Sequence, residues 1–279
     1  MTKRAKRQRN GTMLDRLKQR LAPLTDGGIA LAFSGGVDSS LLLAVLAEMA
    51  AKKPFKFVAL TMQTVLQSPA EAEQAAAFAK KFGAEHHIFT FNPFAVEAVR
   101  FNRTDRCYHC KKAVFAQFAD YAAAHGLRHI IDGTNGDDAH VYRPGRKALK
   151  EMGVLSPLSE FSKSEIRALS AQLGLSTASK PAAPCLATRF PYDTELTDEK
   201  IARAAQGEAA LKALFPDFGN IRLRVHGNLA RVEVPQSALP AAVEQAAKIA
   251  NTLKNIGFDY VTLDLERFRS GSFDIGLKG

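Results

Sequence analysis

Three groups of residues in this chain have types and spacings suited to chemistry. The first is Ser34-Gly35-Gly36-Val37-Asp38-Ser39-Ser40, which gathers two glycines, three hydroxyls and a carboxylate into one short run. Glycines let the backbone approach a ligand, and loop amides at the start of a helix donate toward it, so a phosphate is the natural occupant. An ordinary strand-to-helix turn would account for Gly-Gly and an Asp-Ser cap, but not for three hydroxyls and an acid together. The run lacks the Gly-Lys-Ser/Thr ending of a Walker loop, and its glycine spacing is not that of the dinucleotide fingerprint.

The second group is Cys107-x-x-Cys110, bracketed by Arg106, His109, Lys111 and Lys112, together with Cys185 between Pro184 and Leu186. Positive neighbours suit thiolates. Three thiols without a fourth fit an iron-sulfur cluster or a metal with one open position; zinc could take His109 as a fourth ligand, and metal-free redox or catalytic thiols and inert thiols are the remaining readings. The third group is Arg222, Arg224 and His226, on one face of an alternating stretch. They form either a solvated sheet face or an anion cradle, since neighbouring arginines bind phosphate through paired N–H donors.

These groups need elements to hold them. Before about residue 185, β-branched or apolar runs at 29–33, 55–61, 86–89 and 128–132 alternate with helical patterns at 39–51, 69–82, 111–125 and 163–173. That alternation predicts an α/β fold with a doubly wound parallel sheet, whose ligands gather at the carboxyl ends of the strands. The helix at 163–173 carries the clearest signals: Ser162, with Glu165 three residues on, forms a capping box, and Gly174 stops it. After residue 191 the pattern becomes helix (197–214), strand (221–226), Gly227-Asn228 turn, strand (230–234), helix (237–256) and strand (260–265), a smaller α+β domain. The expected organisation is a basic arm and helix start over 1–20, a nucleotide domain over 21–190, and a substrate or oligomerisation domain over 191–279. His86 and His87 are read as packing or surface residues.

Composition agrees with a globular chain. Of 279 residues, 46% are hydrophobic and 24% charged, which excludes collagen-like and disordered classes. No apolar run is long enough to cross a bilayer, and the charged start is not a secretion signal; a cytoplasmic location and no membrane partner are expected, in keeping with cysteines kept reduced. The net charge of +10 suggests a polyanionic partner, but Lys3, Arg4, Lys6, Arg7 and Arg9 supply half of it, as a solvated arm would.

The run FSGGVDSS after a strand resembles the PP-loop of the N-type ATP pyrophosphatases. With CYHCKK, DGTNGDD, YRPGRKALKEMGVLSPL, KSEIRALSAQLGL and KPAAPCLATRFPYDTELT in order, the chain is similar to the LarE family of ATP-dependent sulfur transferases. The resemblance implies that ATP is held by Ser34, Gly35, Gly36, Val37, Asp38, Ser39 and Ser40, that Met62 meets the adenine, and that Gly133, Thr134 and Asn135 close over the nucleotide. It implies Mg²⁺ on Asp38 with Asp137 or Asp138. The substrate is then a pyridinium biscarboxylate mononucleotide, its phosphate held by Arg222 and Arg224 with Arg143 and Arg189 flanking. Its carboxylates are adenylylated and converted to thiocarboxylates for a nickel-pincer cofactor. In one form of the family the cysteine matching Cys185 gives up its own sulfur; in another, a C-x-x-C joins it to carry a 4Fe-4S cluster bearing an extra sulfide. This chain matches the three-cysteine form, with Cys185 and Asp38 as catalytic residues. The competing readings are a tRNA thiolase, disfavoured because no RNA-binding module is added, and a zinc-organised nucleic-acid binder, which would leave SGGVDSS idle. A homo-oligomer is expected; nothing identifies the sulfide donor.

Overall fold

The computed structural model describes residues 12–137, 144–269 and 271–274. Two compact units emerge. The first takes residues 1–64, 69–91 and 107–183; the second takes 65–68, 92–106 and 184–279. The chain therefore crosses between them several times, and the second unit borrows two segments from the amino-terminal half.

In the first unit, α1 (Met13–Leu21) leads to β1 (Ile29–Ala32), α2 (Val37–Lys52), β2 (Phe57–Gln63), α3 (Pro69–Lys81), β3 (Glu85–Thr90), α4 (Arg106–Ala124), β4 (His129–Ile131), α5 (Gly145–Glu151) and α6 (Lys163–Gln172). All four strands pair in parallel, in the order β3-β2-β1-β4. Successive side chains of a strand point to opposite faces. Ile29, Leu31 and Phe33 accordingly join Leu41, Leu42, Phe78, Ile166 and Leu169 in one core, while Ala30, Val58 and Leu60 join Phe115, Phe118, Ala122 and Leu149 in another. Helices thus cover both faces, and the doubly wound α/β arrangement is as the alternation predicts. Each fully buried leucine or phenylalanine of these cores contributes about 1.5–3 kcal/mol.

Local signals mostly place the elements. Ser162 Oγ accepts from Glu165 N (3.2 Å), and Glu165 Oε2 accepts from Ser162 N (2.8 Å), completing the capping box. The helix expected from residue 111 instead begins at Arg106. A C-x-x-C spacing suits a helical turn as well as a loop, so Cys107 and Cys110 ride within the first turns.

In the second unit, α7 (Asp198–Leu214) precedes a sheet of β5 (Arg222–His226), β6 (Leu229–Glu233) and β7 (Tyr260–Leu263). β5 and β6 are antiparallel about a turn with Gly227 at φ +61°, and β7 runs parallel to β6. A Cβ at Gly207 of α7 would come within 2.6 Å of Leu223 Cδ2, so the glycine lets helix and strand lie flush. The single helix expected over 237–256 is two, α8 (Leu239–Glu244) and α9 (Ala246–Asn255), because Gln245 leaves the helical region at φ −95°, ψ 15°.

Candidate functional site

The amino-terminal turn of α2 emerges directly from β1. Gly36 is its N-cap, Gly35 has φ +67°, and a Cβ at position 35 would lie 3.2 Å from the Ala75 Cβ of α3. The loop is therefore both left-handed and tightly backed, conditions that glycine alone meets without strain. Ser39 Oγ turns inward, accepting from Ser34 N (3.2 Å) and meeting Ser34 Oγ (3.2 Å). Ser40 is fully buried, and its Oγ has no partner among the described residues. Of the three hydroxyls expected to face a ligand, only Ser34 is exposed; Ser39 shapes the loop.

The carboxyl end of β4 closes against this turn. A Cβ at Gly133 would meet Asp38 Cβ at 3.0 Å and Ser39 N at 3.1 Å. Asp132, buried, accepts from Ser156 Oγ (2.6 Å) and from both the hydroxyl and the amide of Thr134. Asn135 Nδ2 donates to Asp38 Oδ1 (3.3 Å), and Asp137 N donates to Asn135 Oδ1 (3.1 Å). The structure thus brings Asp38, Gly133, Thr134, Asn135 and Asp137 into one neighbourhood with Ser34 to Ser40. Asp138 and Arg143 lie outside the described residues. Met62 is the penultimate residue of β2 but packs its side chain in the core with Phe115 and Phe118, so any adenine contact there would use backbone.

Two lysines escaped the sequence reading. Lys163 Nζ donates to Asp38 Oδ2, and its amide donates to Asp137 Oδ2 (2.9 Å). A lysine in the first helical turn opposes the helix dipole, and that misplacement was the available signal. Lys180 Nζ donates to Gly35 O (3.0 Å) and Gln74 Oε1 (3.0 Å), while Arg167 fastens the preceding turn through Ala178 O and Lys180 O. No local pattern announced Lys180, because its partners are distant in sequence.

Two carboxylates gathered on one lysine, Asp38 on its ammonium and Asp137 on its backbone amide, suit a hard cation in chemistry, and Mg²⁺ commonly needs only one or two carboxylates beside substrate phosphates. Asp38 and Asp137 fit that role. Cys107 and Cys110 sit three apart on one helix, hence on one face; Cys107 and Cys185 are exposed and Cys110 half-buried. Accessible thiols of this kind suit a cluster, although no three His, Cys, Asp or Glu side chains gather around one metal position among the described residues.

In the second unit the chain around Cys185 is fixed by Arg189, whose Nη1 donates to Pro184 O (2.8 Å) and Cys185 O (3.3 Å). Its other edge grips Glu208 through Nε (2.9 Å) and Nη2 (2.8 Å). Glu208 also accepts from Arg222 Nη1 (3.1 Å) and Lys212 Nζ (2.8 Å). Burial opposes its ionisation, but Arg189, Arg222 and Lys212 prevail and hold it down at about 2. Arg224 pairs bidentately with buried Glu233 (3.0 Å each) and donates to Thr188 O and Arg269 O. The face of β5 carrying these arginines is not open. Arg222 lies 5.4 Å from the Phe268 ring centre and Arg224 5.5 Å from that of Phe273, and both arginines are more than nine-tenths buried. His226 packs edge-on to Phe273, burial pushing its pKa down. Arg189, Arg222 and Lys212 nonetheless surround a single carboxylate, leaving surplus positive charge beside Arg222.

Comparison with known proteins agrees with these features. The asparagine synthase family model matches residues 14–138, which include the phosphate loop and its β4 neighbour. An uncharacterized protein of Synechocystis is 40% identical over 248 residues, 88% of this chain and 91% of that protein. An uncharacterized protein of Methanocaldococcus jannaschii is 29% identical over 244 residues, 87% of this chain and 91% of that protein. Pyridinium-3,5-bisthiocarboxylic acid mononucleotide synthase of Lactiplantibacillus plantarum is 34% identical over 245 residues, 87% of each chain. With a phosphate loop in the matched segment and that identity across most of both sequences, the chain belongs to the LarE family.

Proposed function

We propose that this chain is an ATP-dependent sulfur transferase that converts the two carboxylates of a pyridinium biscarboxylate mononucleotide to thiocarboxylates, for nickel-pincer cofactor synthesis. A carboxylate oxygen attacks the α-phosphorus of ATP and pyrophosphate leaves; sulfide sulfur then attacks the acyl carbon and AMP leaves. The observation that carries this reading is the convergence of Asp38, Lys163, Asn135 and Gly133 on the amino-terminal turn of α2. Loop amides receive the β and γ phosphates, and Lys163 supplies charge where pyrophosphate departs, an effect that grows when water is excluded. Lys180 holds the Gly35 carbonyl so that the loop keeps its shape.

Asp38 and Asp137, with Asp138, would hold Mg²⁺, which supplies charge neutralisation on the phosphates. Cys107, Cys110 and Cys185 would hold a 4Fe-4S cluster, which supplies an iron-bound sulfide. Arg222 would receive the substrate's phosphate, supported by the surplus charge beside Glu208; Arg224 and Arg189, saturated by carboxylates and carbonyls, would position the strand and the Cys185 loop, with Arg143 flanking. The domain limits of 21–190 and 191–279, a cytoplasmic location and a homo-oligomer complete the proposal. No helix among the described residues is long and apolar enough to cross a membrane.

The test is turnover with ATP, sulfide and the biscarboxylate mononucleotide. AMP and pyrophosphate should appear only with the acceptor, and product mass should rise by the exchange of oxygen for sulfur. Release of ADP and orthophosphate, or equal activity with tRNA as acceptor, would overturn it.

A further inference from the structure

A second cleft in the first unit adjoins the nucleotide neighbourhood at Thr134 and is otherwise lined by residues with no part in the chemistry above. It is an open cleft of about 650 Å³, within the roughly 300–1,000 Å³ usual for small-molecule sites, and Thr134 and Ser156 place it beside the carboxyl end of β4. Among the described residues, three cations line it, Arg20, Arg146 and Lys150, and no carboxylate does. Arg146 and Lys150 stand four apart on α5, a like-charge pairing that an isolated helix disfavours. Arg20 donates to Ser159 Oγ (3.2 Å) and pairs with Glu160, a carboxylate 63% exposed whose hold in water is weak. Its Nε is a buried donor with no partner among the described residues.

The same cleft has an apolar side. Leu155 is 40% exposed, yet it cannot withdraw, because its amide donates to Ile130 O (2.9 Å) and its carbonyl accepts from Asp132 N (2.9 Å). Strand pairing therefore holds a leucine side chain at the surface beside three cations. An apolar patch rimmed by positive charge matches a flat ring that carries an anion.

We propose that this cleft binds a mononucleotide, its ring against Leu155 and its phosphate among Arg20, Arg146 and Lys150. The cleft shares Thr134 with the neighbourhood of the phosphate loop but is lined by none of Ser34 to Ser40, and the proposal stands whether or not the reaction proposed above is correct. Lysine acetylation of the full-length protein, followed by peptide mass spectrometry, tests it with nicotinic acid mononucleotide as probe. Lys147, on the same helix and outside the cleft lining, is the internal reference. At about ten times the probe's dissociation constant, modification of Lys150 should slow about tenfold while that of Lys147 is unchanged, and ribose 5-phosphate should protect much less at equal concentration. Unaltered Lys150 reactivity at saturating probe, or parallel slowing of both lysines, overturns the site. Equal protection by ribose 5-phosphate overturns the assignment of a ring to Leu155.

Discussion

Lys163 and Asp38, which head two different helices of the first unit, meet as an ion pair, and the Lys163 amide binds Asp137 as well. One residue thus gathers two of the proposed metal-binding carboxylates, Asp38 and Asp137, beside the phosphate loop. With side chains 34% and 19% exposed, the pair contributes under about 1 kcal/mol to folding. Lys163→Ala should therefore leave the melting temperature nearly unchanged and slow acceptor-dependent pyrophosphate release by at least about tenfold, equivalent to about 1.4 kcal/mol of transition-state stabilisation. A normal rate would remove Lys163 from the chemistry.

Glu208 ties the second unit to pH. Its pKa is held at about 2 in the fold against 4.5 ordinarily. A depressed carboxylate stabilises the fold above its unfolded pKa, and that stability fades as pH falls from about 4.5 toward about 2. The contribution is about 3 kcal/mol. Urea unfolding followed across that window should show the loss in the wild type and a flatter profile in Glu208→Gln, which should already be destabilised by roughly 3–5 kcal/mol at neutral pH because Arg189 is left buried without its partner.

Arg222→Ala should weaken binding of the substrate's phosphate by about tenfold, since a charge-assisted hydrogen bond contributes about 1.5–3 kcal/mol. An open arginine face would leave folding untouched by this change. Here Arg222 also donates to Glu208 and lies against Phe268, so a lower melting temperature is expected alongside the binding loss. Calorimetric titration beside a thermal melt separates the two effects; a melt shift with unchanged affinity would leave Arg222 purely structural.

For the cysteines, anaerobic protein reconstituted with iron and sulfide should show charge-transfer absorbance that Cys107→Ser, Cys110→Ser and Cys185→Ser each diminish and that chelation removes. Intact mass after several turnovers should be unchanged. Loss of one hydrogen sulfide per chain, matched to product, would make Cys185 a sacrificial donor instead.

Much of the first unit was legible because its signals are local. Alternating strands and helices, the Ser162 capping box and the SGGVDSS turn each concern neighbours in sequence. The period of two also marked β5 correctly, with Leu223 and Val225 on one face and Arg222 and Arg224 on the other. What covers the arginine face was invisible, because Phe268 and Phe273 reach it from well beyond the strand. Glu208 escaped notice for a related reason: a lone acid in a helix looks like a solvated charge until Arg189 and Arg222 close on it. Lys180 binds Gly35 across the whole nucleotide unit, a relation that only the fold creates.

The contact between Gly35 and Ala75 makes α3 the bearing on which the phosphate loop rests. Clearance there is less than one methyl group, since a Cβ at position 35 would come within 3.2 Å of the Ala75 Cβ, so residue 75 acts as a shim for a loop whose own residues need not change. A serine would nearly fit; a valine or leucine would lift the loop and alter its grip on every phosphate at once. Nucleotide handling in this chain can thus be tuned from the buried side of a helix that contributes no group to the reaction.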